Sequence, residues 1–153
     1  MLDMETKRLS GIVKILLDMV FAGGIILYIS LPFTLKWYFN FLRNTSGENY
    51  YFMMGFLYVS GLFCLSIVYE LRKIFKTLTM INPFIIENVK SLKSMAIAAF
   101  AISAVYIVKI IFYNTLLTII AAMIFIIAGL FSVILSEVFR QAVIYKEEND
   151  LTI

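Results

Sequence analysis

The sequence predicts an all-α protein, a four-helix transmembrane bundle with amphipathic cytoplasmic extensions and both termini in the cytoplasm. Two features of the composition predict this class. Of the 153 residues, 62% are hydrophobic, whereas soluble domains have about 45–50% apolar residues. Only 15% are charged, and they fall in short islands between long apolar stretches. Four such stretches can each cross a hydrocarbon core of about 30 Å as a helix, so residues 1–153 form a single membrane domain.

The four predicted spans cover residues 12–35, 50–69, 95–113 and 116–136. They must be helical because hydrocarbon offers no partner to a backbone amide, and they are too continuous to be the alternating strands of a barrel. The first contains Gly23, Gly24 and Pro32, which a helix in lipid tolerates. Only Asn114 and Thr115 separate the last two spans, so these should form a tight antiparallel hairpin.

Basic residues predict the orientation of the spans. Ten Lys and Arg residues lie in the N-terminal segment, in the loop 70–94 and in the tail 137–153. Because the chain crosses the membrane an even number of times, these three segments lie on the same side of it. The other side has Lys36 and Arg43, with Lys109 near it. Because basic loops stay inside, the termini and the loop 70–94 are predicted to be cytoplasmic.

The cytoplasmic segments are predicted to be helical as well. Apolar residues recur at helical spacing after the second span, so that helix should continue past the membrane to about Leu78. Asn82 and Pro83 suit the start of the next helix, which would lie at the interface and lead into the third span. Its apolar stripe consists of Ile85, Val89 and Leu92. The fourth helix is expected to end near Glu148 or Asn149.

The composition argues against enzymatic chemistry. The chain has no histidine and one cysteine, Cys64, which removes His-based metal and triad chemistry and any intramolecular disulfide. The loop 70–94 also lacks paired acids. We therefore predict no catalytic, cofactor-binding or metal-binding residue, no cofactor and no direct contact with nucleic acid.

Two charged residues lie in or beside the predicted spans. Asp18 and Lys109 are candidates for proton or cation handling, since charges within a membrane are commonly functional. A structural interpretation is favoured for both. Asp18 lies four residues after Lys14 and could form an ion pair with it, and Lys109 could extend its ammonium group outward to the headgroups.

Two further features concern packing and binding. Small residues on the third and fourth spans are predicted to let helices pack closely. They are Ala96, Ala98, Ala99, Ala101, Ser103, Ala104, Ala128 and Ser132. The acidic C-terminal tail, Glu148 to Ile153, could dock in an extended groove of a partner, and a frayed terminus is the alternative interpretation.

The loop motif Asn82-Pro83-Phe84, followed by Glu87-Asn88, and the ending 137–153 resemble bacterial four-helix membrane proteins of domain-of-unknown-function family 2975. The resemblance covers nearly the whole chain, although Ile81 stands where the family often has glycine. It implies a membrane partner for a small helix-turn-helix regulator, because members are often encoded beside one. The matching positions expected to bind the partner are Phe84, Glu87, Asn88, Glu148, Asn149, Asp150, Leu151, Thr152 and Ile153.

Two function hypotheses follow. The first is a non-enzymatic bacterial inner-membrane protein that contacts membrane lipids and binds a cytoplasmic protein, such as a transcriptional regulator, through its loop and tail. The second is a small transporter, channel or immunity protein that acts within the membrane, for which the spans offer few polar residues. The sequence leaves homo-oligomer formation open.

Overall fold

Four α-helices make up the structure, a computed structural model that describes residues 2–41, 49–78 and 84–151. The helices are α1 (Leu2–Phe41), α2 (Tyr50–Leu78), α3 (Ile86–Phe112) and α4 (Leu116–Leu151). At about 1.5 Å per residue, even the shortest is about 40 Å long, which exceeds the hydrocarbon thickness. Each helix is long and apolar enough to cross a membrane. The chain is therefore an all-α protein with four helices that are long and apolar enough to span a membrane, as the sequence predicts.

The helices pack against one another in chain order and run antiparallel. Between α1 and α2, for example, the ring centroids of Phe21 and Tyr69 are 6.2 Å apart. Those of Phe39, later in α1, and Tyr50, earlier in α2, are 5.7 Å apart. Within the described residues, Cα atoms approach within 8 Å only between α1 and α2, α2 and α3, and α3 and α4. The helices form a row with α1 and α4 at its edges, rather than a bundle that brings α4 back against α1.

The antiparallel row gives the molecule two ends of different composition. One end contains the start of α1, the end of α2, the start of α3 and the end of α4. We call it the basic end because it carries most of the described Lys and Arg side chains, including Lys14, Arg72, Lys76, Lys90 and Arg140. The opposite end carries the aromatic residues Trp37, Tyr38, Tyr50, Tyr51 and Tyr113.

The core of the protein lies along α3, which has a neighbour on both sides. Ile102 is fully buried, and most of the predicted small-residue surface is buried too, which confirms its packing role. A Cβ atom on Gly129 of α4 would lie 2.9 Å from ring atoms of Phe100, so the absence of a side chain permits this approach. The most apolar segment of α1, by contrast, has no buried residue. The buried members of the predicted surface are Ala96, Ala98, Ala99, Ser103 and Ser132.

The connection between α3 and α4 is as the sequence predicts, whereas the start of α3 differs from the prediction. The α3–α4 hairpin is confirmed, and the Tyr113 amide closes α3 by donating to the Lys109 carbonyl at 2.7 Å. The start of α3 differs from the prediction, because Ile85 occupies the N-cap position with an extended backbone and without a side-chain hydrogen bond. The proposed cap, Asn82-Pro83, lies outside the described residues.

The apolar stripe at the start of α3 has the predicted spacing but a different environment. Val89 and Leu92 are buried within the protein, whereas an interfacial helix would expose them to lipid. The first turns of α3 pack against the end of α2 because α2 continues as a helix to Leu78, as predicted. At the other end of the row, α4 extends to Leu151, slightly beyond the expected end.

Candidate functional site

The end of α2 and the start of α3 form a polar corner at the basic end. We call the α2–α3 corner the described residues Thr77, Phe84, Ile85, Glu87, Asn88 and Ser91. The side-chain amide of Asn88 donates to the Thr77 hydroxyl at 2.7 Å. That hydroxyl donates in turn to the Ile74 carbonyl at 2.7 Å. This chain of hydrogen bonds ties the start of α3 to the last turn of α2.

A cavity of about 340 Å³ opens at this corner. Its lining includes the carboxylate of Glu87 and two lysines of α2, Lys73 and Lys76. Glu87 is exposed, whereas the adjacent Asn88 has only 1% of its surface exposed. Asn88 therefore holds the corner together, and its expected role in binding a partner stays a prediction.

Phe84 connects the corner to α4. Its ring centroid lies 5.4 Å from that of Phe139, and Phe84 retains 42% exposure. Next to Phe139, Arg140 donates from Nε to the Glu137 carboxylate at 2.9 Å. The Lys93 ammonium of α3 also acts electrostatically on Glu137. Phe84 is thus an apolar side chain held in place on one side and accessible on the other.

The C-terminal residues continue α4 as a helix. Glu148, Asn149 and Asp150 are helical and exposed, and Leu151 is the last helical residue. Glu148 to Leu151 form the last turn of α4 and are neither frayed nor extended, because their amides can donate to carbonyls one turn earlier in the helix. Thr152 and Ile153 lie outside the described residues. Glu148 follows Phe139 by nine residues, or about 13 Å along the helix axis, so the tail and the α2–α3 corner are separate surfaces at the same end.

Asp18 forms an ion pair, but with a different partner from the one expected. Arg72 donates from Nε to the Asp18 carboxylate at 2.6 Å, which joins α1 to α2. The guanidinium of Arg72 also lies over the Phe21 ring, 4.5 Å from its centroid. The antiparallel register explains the pairing, because Phe21 of α1 packs against Tyr69 of α2. Asp18 lies three residues before Phe21, and Arg72 lies three residues after Tyr69, so their side chains meet. Sequence periodicity identifies partners on the same helix only, and therefore suggested Lys14 as the partner of Asp18.

Lys109 also lies differently from the prediction. Only 7% of its surface is exposed, and its ammonium nitrogen is 5.0 Å from the centroid of the Phe56 ring. The side chain therefore packs against α2 rather than extending outward. The attraction between a cation and an aromatic ring accounts for part of this position.

Two buried hydroxyl groups donate to backbone carbonyls of the helices that carry them. Ser60 donates to the Phe56 carbonyl at 2.8 Å, and Ser136 donates to the Val133 carbonyl at 2.8 Å. Over the residues that the structure describes, no buried side-chain nitrogen or oxygen lacks a hydrogen-bond partner. No cluster of three or more Cys, Asp or Glu residues within the same ranges could hold a metal ion.

Four helices, each long and apolar enough to cross a membrane, are typical of a multi-pass α-helical membrane protein. Comparison with known families then assigns the chain more closely. The family model described as "Protein of unknown function (DUF2975)" matches residues 26–153. The chain belongs to this family, which confirms the resemblance seen in its sequence. No curated protein and no solved structure matches the chain.

Proposed function

We propose that this chain is a non-enzymatic protein of the bacterial inner membrane that binds a cytoplasmic protein partner, such as a small helix-turn-helix regulator. The observation that carries the proposal is the α2–α3 corner, where Phe84 is packed against Phe139 on one side and exposed on the other. Glu87 adds an exposed carboxylate nearby. A fixed aromatic side chain beside charged groups is the type of anchor that dominates the energy of protein interfaces.

Charge complementarity supports a basic partner. The last turns of α4 carry Glu147, Glu148 and Asp150, all exposed. Acidic residues on a helix that extends about 18 Å beyond Phe139 would steer a positively charged protein toward this end. A DNA-binding regulator has such a charge, and capture at the membrane would remove it from DNA.

The proposal includes an orientation. With the basic end in the cytoplasm, the α2–α3 corner and the end of α4 face the compartment that contains the regulator, in agreement with the positive-inside rule. A reporter fused after Ile153 tests this directly. We expect a fluorescent protein, which matures in the cytoplasm, to be active there, and alkaline phosphatase, which needs export, to be inactive. The reverse pattern would contradict the orientation and the proposal with it.

The partner surface can be tested by site-specific photo-cross-linking in living cells. A photoreactive amino acid at Phe84 is expected to form an adduct with a helix-turn-helix protein, identified by mass spectrometry. The same amino acid at Trp37, exposed at the opposite end, is the matched control and should not form this adduct. Adducts of equal yield at both positions, or no adduct with such a protein at Phe84, would reject the proposed surface.

The tail provides a second, quantitative test. Deletion of residues 148–153 is expected to abolish co-purification of the partner while the four spans stay folded. Neutralising Glu147, Glu148 and Asp150 to amides should instead slow association, with a weaker effect at high salt. Unchanged co-purification after the deletion would exclude a role of the tail.

A further inference from the structure

We infer that a groove between α1 and α2 at the basic end binds the headgroup phosphate of an anionic phospholipid. The groove encloses about 420 Å³. It is lined by Lys14, Asp18, Tyr69, Arg72, Lys73 and Lys76. This site lies outside the α2–α3 corner proper, although Lys73 and Lys76 line both cavities. The inference does not depend on a protein partner.

The charge of the lining favours an anion. It contains four cationic side chains and one carboxylate, a formal charge of +3. The carboxylate of Asp18 is already hydrogen-bonded to Nε of Arg72. A guanidinium has four further N–H donors on its terminal nitrogens, and its planar geometry suits the oxygens of a phosphate.

Arg72 is also held in position. Its guanidinium is fixed by the 2.6 Å hydrogen bond to Asp18 and by the Phe21 ring, 4.5 Å away. Another nearby cation is steadied in the same way, since Lys73 donates to Glu70 at 3.0 Å and lies 4.6 Å from the centroid of the Tyr69 ring. Cationic groups that are ordered in advance lose less entropy when they bind an anion.

The depth of the groove matches a lipid headgroup. Asp18 immediately precedes the uncharged run 19–35 of α1, and Tyr69 ends the uncharged run 50–69 of α2. The groove therefore lies where hydrocarbon gives way to the headgroup region, at the level that tyrosine rings prefer. Phosphate groups of the lipids lie at this level too.

The same face of the helices continues as an apolar surface. Ile25 and Ile29 follow Asp18 by seven and eleven residues, which places them on its side of α1. Leu62 precedes Tyr69 by seven residues on α2. All three are exposed. A cationic groove followed by an exposed apolar surface fits an amphiphile, with its headgroup at Arg72 and its acyl chain toward Ile29. A soluble phosphate has no acyl chain to contact the apolar surface.

Spin-label electron paramagnetic resonance tests this assignment. The full chain is reconstituted into phosphatidylcholine bilayers that contain a trace of spin-labelled phosphatidylglycerol or spin-labelled phosphatidylcholine, and the motionally restricted fraction gives the relative association constant. We expect phosphatidylglycerol to be preferred about fivefold or more, since each basic residue at an anionic surface contributes about that factor. Equal association of the two lipids would overturn the inference.

Matched variants separate a defined site from diffuse attraction. Lys14→Gln with Lys76→Gln should reduce the preference to near unity, and the corresponding pair of Lys→Arg changes should retain it. The control is Lys90→Gln with Lys93→Gln, which removes the same charge at the same end but on α3, outside the groove. An equal loss in the control pair would overturn the inference. Displacement of the lipid by inorganic phosphate beyond that by chloride of equal ionic strength would also overturn it, in favour of a soluble anion.

Discussion

Adjacent residues at the start of α3 should respond in opposite ways to the same substitution. Asn88 is buried and donates to Thr77 at 2.7 Å, whereas Glu87 is exposed. Asn88→Ala removes the bridge between α2 and α3 and leaves a small cavity. Glu87→Ala removes a charge that the α2–α3 corner does not need for packing. We therefore expect the first change to lower stability and the second to lower partner capture.

The magnitude of the Asn88 effect follows from the buried hydrogen bond. Removing one member of such a pair costs about 1–3 kcal/mol. Alanine regains up to about 0.7 kcal/mol through its higher helix propensity, so the net loss should be about 0.5–2 kcal/mol. Glu87→Ala, a surface change, should stay within about 0.5 kcal/mol of the parent protein.

Equilibrium unfolding in mixed micelles, followed by far-UV circular dichroism, measures both values. A double-mutant cycle with Thr77→Val isolates the hydrogen bond from the cavity and from helix propensity, and a coupling energy of about 0.5–1.5 kcal/mol is expected. Additive effects of Asn88→Ala and Thr77→Val would refute the structural role assigned to this pair. So would a loss of stability in Glu87→Ala as large as in Asn88→Ala.

Three further predictions concern the membrane-spanning helices. Gly129→Ala should be about 1–3 kcal/mol less stable than Gly23→Ala in the same unfolding assay. The reason is that a Cβ at Gly129 meets an aromatic ring, whereas one at Gly23 meets nothing within 4 Å. Equal stabilities would contradict the close approach of α3 and α4. Exchanging the charges of the ion pair by Asp18→Arg with Arg72→Asp should restore most of the stability that either single reversal removes. The coupling energy should be below about 1 kcal/mol, because both side chains are partly exposed. If the exchange does not recover stability, the two residues are not directly paired. Cys64, exposed in the middle of α2, should resist a charged maleimide in intact membranes and react after solubilisation in denaturing detergent; rapid labelling in membranes would show water at this position.

The number and type of the helices were predictable because lipid imposes a strict rule. An uncharged run of about twenty residues must satisfy its own backbone amides, so 50–69 and 116–136 could only be helices. The ends were less predictable, since outside hydrocarbon the chain can end a helix in many ways. The start of α3 shows this, because Asn82-Pro83 has good capping chemistry and yet the N-cap is Ile85, without a side-chain hydrogen bond.

The contacts between helices were mispredicted for a related reason. Periodicity identifies which residues share a face of one helix, and therefore suggested Lys14 as the partner of Asp18. The actual partner, Arg72, is fixed by the register of α1 against α2, which depends on packing such as that of Phe21 on Tyr69. Periodicity also identified the apolar stripe of Val89 and Leu92 correctly. It did not identify the end of α2 as the surface against which this stripe packs.

The row of helices gives the two edge helices different surroundings from the central pair. The most apolar segment of α1 has no buried residue, whereas a third of that of α3 is buried. In hydrocarbon an exposed leucine or isoleucine costs nothing, so α1 needs only a few specific contacts to stay beside α2. The described contacts include the Asp18–Arg72 pair and the approach of Gly24 and Gly61 to the opposite helix. The Asp18–Arg72 pair is one of the contacts that place α1 beside α2, and it also shapes the lipid groove.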